Sequence, residues 1–114
     1  MVAEKLKKIS ARDLLAGIFC FIPEQCSLHH YDISIYLIEQ FDISAREINE
    51  NLDILCGANY NPIMLKNKEG YYTVIPEIKN NIRNFIKPRF SEEQLNGLEK
   101  IAYELLVIAA QDYR

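Results

Sequence analysis

Residues 33–55 read ISIYLIEQFDISAREINENLDIL, and the fold turns on this stretch. Its apolar positions recur at helical spacing in two runs. Leu37, Ile38 and Phe41 share one face of a first helix, and Ile48, Leu52 and Leu55 share one face of a second. Phe41-Asp42-Ile43-Ser44 forms the turn between them. Ile43 is placed as the apolar plug between the helices, and Ser44 is placed to accept hydrogen bonds from the first amides of the second.

Upstream, Ser10 is a candidate N-cap, with Asp13 three residues later favouring the start of a helix. The pattern from Ala11 to Ile22 is helical. Leu14, Leu15, Ile18 and Ile22 occupy one side, while Phe19 and Phe21 make the other side apolar too, so this helix is expected to be buried all round. Pro23 helps to end it, and residues 24–31 form a connection. Asp32 is the expected cap of the helix that ends near Gln40. The next helix runs from Ala45 to about Cys56, with Gly57 as its stop.

Downstream the period changes. Residues 62–66 (PIMLK) and 71–75 (YYTVI) are β-prone runs, and Asn67-Lys68-Glu69-Gly70 between them reads as the turn of a hairpin. Pro76 breaks the second strand. A helix is expected from about Glu77 to Ile86, interrupted by Pro88. Ser91 followed by Glu93 and Gln94 is an N-terminal capping signal for a last helix reaching about Asp112. Leu95, Leu98, Ala102, Leu105 and Ala109 form one stripe on it, widened by Ile101, Leu106 and Ile108. So wide an apolar surface calls for two partners, the domain core and the same helix of a second subunit. The fold class is therefore mainly α with a small β-hairpin. Residues 1–90 form the main domain, and 91–114 form a long C-terminal helix that would make a homodimer through Leu95, Leu98, Ala102, Leu105 and Ala109.

A chain of 114 residues is one domain by length and buries about two thirds of its extended surface. The net charge of −3 excludes a bulk polycation, but the charge is uneven. Lys5, Lys7, Lys8 and Arg12 make the N-terminus basic, and Lys79, Arg83, Lys87 and Arg89 form a second basic segment. Cys20, Cys26 and Cys56 are an odd set without a disulfide framework, which fits a reducing cytosol. Residues 14–22 are apolar and follow a basic segment. No small-residue cleavage site follows them, however, and the run is too short to span a bilayer. A cytoplasmic, non-membrane protein is expected.

The order helix, bent helical pair, hairpin, helix resembles the winged helix-turn-helix superfamily from about Ala11 to Glu77. Small bacterial winged-helix repressors often carry hydrophobic-Gly-Ile-Ser at the turn and Leu-x-x-Leu at the end of the second helix. Here the match is Phe41-Asp42-Ile43-Ser44 followed by Leu52-Asp53-Ile54-Leu55. Asp42 replaces the usual Gly, and Asp tolerates a left-handed backbone better than most residues. The hairpin with Tyr71-Tyr72 after a Lys/Gly turn looks like the wing. The resemblance implies a bacterial or phage-type transcriptional regulator that binds double-stranded DNA. In that reading Ser44 holds a phosphate, Arg46 and Asn49 reach base edges, Glu50 accepts from cytosine, and Lys66 and Lys68 touch the backbone from the wing. The second helix departs from the pattern. Glu47, Glu50 and Asp53 set three acids against Arg46, facing a duplex that carries one phosphate charge every ~1.7 Å.

The rival reading is a protein-protein interaction module on the same scaffold that binds no DNA. Ile35 and Tyr36, on a helix side that is usually polar, point to a contact with another element or chain. Cys26, His29 and His30 invite a zinc hypothesis, but they have no second ligand pair at zinc-site spacing, so no metal and no cofactor is expected. The chain has no nucleophile elbow, phosphate loop or HExxH motif, and no enzymatic activity is expected.

Overall fold

The computed structural model describes residues 9–23, 25–57, 62–78, 84 and 87–111. The chain begins with α1 (Ala11–Cys20). Ser10 caps it by accepting the Asp13 amide at 3.2 Å, as its spacing predicts. A two-residue strand, β1 (Leu28–His29), leads into α2 (His30–Phe41). The turn to α3 (Ala45–Leu55) is tight because Asp42 takes the left-handed conformation, φ 55° and ψ 36°. The cap of α2 differs from expectation. His29 precedes the helix and accepts the Tyr31 amide, while Asp32 lies buried in the first turn.

The hairpin forms as read: β2 (Met64–Lys66) and β3 (Tyr71–Val74) pair antiparallel with Lys66 opposite Tyr72. The sheet has a third strand that periodicity could not show. β1 pairs with β3, His29 opposite Tyr71, so the order is β1-β3-β2. Two residues are too few to carry an alternating pattern, and only long-range pairing makes them a strand. Leu28, Met64, Tyr72 and Val74 are buried.

Pro76–Ile78 forms a 3-10 turn, and the remainder of the helix expected to Ile86 falls largely outside the described residues. A second 3-10 turn, Lys87–Arg89, precedes α4 (Glu92–Gln111). Ser91 and Gln94 cap α4 reciprocally. The Gln94 amide donates to Ser91 Oγ at 3.1 Å, and the Ser91 amide donates to Gln94 Oε1 at 2.9 Å.

The core centres on α1, where Leu14, Leu15, Ala16, Gly17, Ile18, Phe19 and Cys20 are all buried. It packs mainly against α3 and α4, and α4 also contacts α2 and β1. Ile48, Leu52 and Leu55 close α3 onto this core as expected. On α2 the buried set is Ile33, Leu37 and Phe41, and Ile38 is 41% exposed instead of sharing their face.

The stripe assigned to a second subunit requires correction. Leu98, Ala102 and Leu105 are at most 1% exposed within this one chain, and Leu95 and Ala109 pack half-buried against the same core. Only one apolar side of α4 was needed to complete the domain, and the stripe in question is that side. The large apolar residues α4 leaves exposed are Tyr103, Val107 and Ile108. No described helix is long and apolar enough to cross a membrane.

Candidate functional site

The outer face of the helical pair and the adjoining hairpin hold every nucleic-acid candidate. Ser44 is exposed and occupied by its own helix, its Oγ accepting the Glu47 amide at 3.1 Å. Ser44→Ala is expected to cost about 1 kcal/mol, because one amide of the first turn loses its acceptor. A urea midpoint equal to that of the parent would contradict this.

Beyond the cap, Arg46, Glu47, Asn49, Glu50 and Asp53 are all exposed, as the helical period requires. Arg46 does not project alone. Its Nε lies 3.0 Å from Glu50 Oε1, an i,i+4 pair in which the Arg46 side chain is 89% exposed. Such a pair contributes little stability, but it neutralises the one cation of α3. Asn51 folds back on its own helix, donating to the Glu47 carbonyl at 2.8 Å. The exposed charge left on α3 is acidic, from Glu47 and Asp53.

Lys66 and Lys68 are exposed on β2 and on the hairpin turn. The Lys66 ammonium sits 5.7 Å from the centre of the Tyr72 ring. The C-terminal end of α3 is tied to the residue before this strand, the Ile63 amide donating to the Leu55 carbonyl at 2.8 Å. Burial first, and Asp53 second, push the Cys56 thiol up, while Lys66 acts the other way. The Tyr72 phenol is pushed up to about 12 by burial, then by Cys56 and Asp53. Asp53 and Lys66 thus act on the same thiol with opposite sign. Lys79 and Arg83 lie outside the described residues, as do Lys5, Lys7 and Lys8. Arg89 Nη1 lies 3.3 Å from Asp13 Oδ1, joining the second 3-10 turn to α1.

The contact expected of Tyr36 exists inside the chain. Its hydroxyl donates to the Glu104 carboxylate and ties α2 to α4. Burial, followed by that carboxylate, raises its proton affinity above that of a free phenol. Ile35 makes no such withdrawal. With Tyr31 and Ile38 it forms an exposed apolar stripe at i, i+4 and i+7 on α2, 56%, 45% and 41% exposed in chain order. Glu39 and Asp42 are exposed near its C-terminal end.

Cys20 is buried, and Cys26 and Cys56 are half-buried. No group of three or more His, Cys, Asp or Glu side chains able to hold a metal occurs among the described residues. His29 was missed as a structural residue. Both of its ring nitrogens are engaged, one to the Tyr31 amide and one to the carbonyl of Glu69, which is 40 positions away in sequence. No local signal announces such a contact.

The chain matches no protein-family model, and no curated protein or solved structure matches it.

Proposed function

We propose that this chain is a non-enzymatic protein-interaction module on a winged-helix scaffold. In this reading α2 and α3 are the helix-turn-helix, the β2–β3 hairpin is the wing, and the outer helical face meets a protein instead of a duplex. The observation that carries it is the charge of α3. Glu47, Glu50 and Asp53 are exposed there, and Arg46 is already paired to Glu50. A helix in the major groove lies between two rows of phosphates, where exposed carboxylates oppose binding. The Tyr31/Ile35/Ile38 stripe supports the same reading, since a row of exposed apolar side chains gains from contact with protein and gains nothing from phosphate.

A homodimer through α4 would use Tyr103, Val107 and Ile108, because Leu98, Ala102 and Leu105 are spent on the core. The odd cysteine count agrees with a reducing cytosol. The transcriptional-regulator reading keeps two supports, the exposed Lys66 and Lys68 of the wing and the α3 N-terminus behind Ser44.

Duplex binding separates the two. The parent chain is expected to leave mixed-sequence duplex DNA unshifted at low and at moderate salt. The triple variant Glu47→Lys, Glu50→Lys, Asp53→Lys is expected to gain affinity that falls steeply with salt, as each new phosphate contact releases counterions. If the parent itself bound duplex with a steep salt slope, and lost binding on Arg46→Ala plus Asn49→Ala, the interaction-module proposal would be wrong and the regulator reading would replace it.

A further inference from the structure

His29 joins two parts of the molecule that are far apart in sequence. The Tyr31 amide donates to His29 Nδ1 at 3.1 Å. His29 Nε2 lies 2.9 Å from the Glu69 carbonyl oxygen, which has no proton to give. Nδ1 must therefore carry a lone pair and Nε2 a hydrogen. The two contacts, set independently at opposite edges of the ring, demand the same species: the neutral imidazole protonated on Nε2.

The ring is held on its other sides as well. Tyr71 meets it edge-on, with ring centres 4.8 Å apart and planes at 76°. Gly70 has φ 91°, and a Cβ there would lie 3.2 Å from Nε2, so a side chain at this turn would be strained and would crowd the ring. The backbone runs in parallel, since the His30 amide donates to the Gly70 carbonyl at 2.9 Å.

We propose that His29 is a proton-sensitive clasp between the hairpin turn and the N-terminus of α2, closed while its imidazole is neutral and opened when acid places a proton on Nδ1. The added proton turns the cap's acceptor into a donor facing the Tyr31 N–H, itself a donor. It also places a cation at the positive end of the α2 dipole. Nε2 keeps its hydrogen, so the half of the clasp that fails first is the helix cap.

Charged and titratable groups flank His29 on α2 and on the hairpin, while α4 packs against β1 as well. His30, Tyr31 and Asp32 belong to the first turn of α2, Lys68 and Glu69 to the hairpin turn, Lys66 to β2 and Tyr71 to β3. The His30 ring centre is 6.0 Å away. Burial first, then His29 and Lys66, lower the proton affinity of His30 from the ordinary 6.5. A group depressed in the folded state stabilises it above its unfolded value and loses that contribution as the pH falls. His30 therefore contributes stability to this corner above its unfolded value and loses it in acid.

The test reads the imidazole directly in the full-length chain by long-range 1H–15N NMR at about pH 8, with amide protection followed down to about pH 5. The expected spectrum shows one His29 tautomer, pyridine-like Nδ1 and pyrrole-like Nε2. As the His29 ring takes up its proton, Tyr31 amide protection is expected to fall roughly fivefold, the loss typical of an N-cap. His29→Asn supplies a cap oxygen that does not titrate; compared with the parent in a His30→Gln background, where the neighbouring ring cannot take up a proton, it is expected to keep Tyr31 protected at both ends of the range. A pair of rapidly averaged tautomers, or Tyr31 protection that ignores the His29 titration, would overturn the proposal. So would His29→Asn tracking pH as the parent does.

Discussion

Replacing Phe19 with alanine is expected to cost about 3–5 kcal/mol of stability. Phe19 is 1% exposed, near the C-terminal end of α1, the helix that packs against both α3 and α4. Truncating it removes the apolar transfer energy of a whole aromatic ring. It also leaves a cavity that helices on two sides cannot collapse to fill. A domain of this kind has about 5–15 kcal/mol in all, so the loss removes a large share of it. The measurement is urea denaturation followed by circular dichroism, with a lower midpoint at an unchanged slope. Glu50→Ala serves as the comparison. It removes an exposed carboxylate paired with Arg46, and it should stay within about 0.5 kcal/mol of the parent. A Phe19→Ala chain as stable as that control would mean that α1 is not the centre of the core.

Gly17→Val is expected to be the second severe substitution, for the opposite reason. Gly17 lies mid-helix in α1, where glycine is unfavourable by about 0.5–1 kcal/mol relative to alanine. The approach of α4 explains its presence. A Cβ on residue 17 would fall 2.7 Å from Leu98 Cδ1 and 3.3 Å from Cδ2, so Leu98, itself fully buried, must shift within the core. Overpacking of this kind costs about 1–3 kcal/mol or more, beyond anything recovered by replacing glycine in a helix. Alanine, with one added carbon and better helix propensity, should cost less than valine. The contact can be isolated with a double-mutant cycle. Leu98→Ala should destabilise the parent by about 2–5 kcal/mol but the Gly17→Val chain by clearly less, because it opens the space that valine needs. Strict additivity would show that residues 17 and 98 do not compete for the same volume.

Much of the fold could be read from local chemistry, and the reasons are specific. Ser10, Ser44 and Ser91 each cap a helix through a contact spanning three residues, so the signal and its partner sit in one window. Asp42 carries the left-handed turn alone. The hairpin is closed by residues within Asn67–Gly70, with Asn67 Oδ1 accepting the Glu69 and Tyr71 amides at 3.0 and 2.9 Å. The same locality explains why the outward residues of α3 were identified correctly as a set. It could not show that Arg46 would lean back onto Glu50, or that Asp53 and Lys66 would stand near one thiol. Each of those depends on a rotamer or on the docking of a strand from elsewhere.

The largest misreading concerns α4. Its pattern has more apolar positions than one face requires, and a pattern carries no information about which face the rest of the chain will take. Leu98, Ala102 and Leu105, expected at a second subunit, are buried in the core. Ile38, expected beside Leu37 and Phe41, lies at the surface with Ile35. Residues three to four apart are neighbours on any helix whatever lies opposite them, so elements, caps and turns follow from the order of amino acids alone. The choice among equally greasy faces, the recruitment of Leu28–His29 into the sheet and the engagement of both His29 nitrogens needed the folded chain. These are contacts between segments tens of residues apart, and they are settled by which packing buries most surface while leaving the fewest polar groups unpaired.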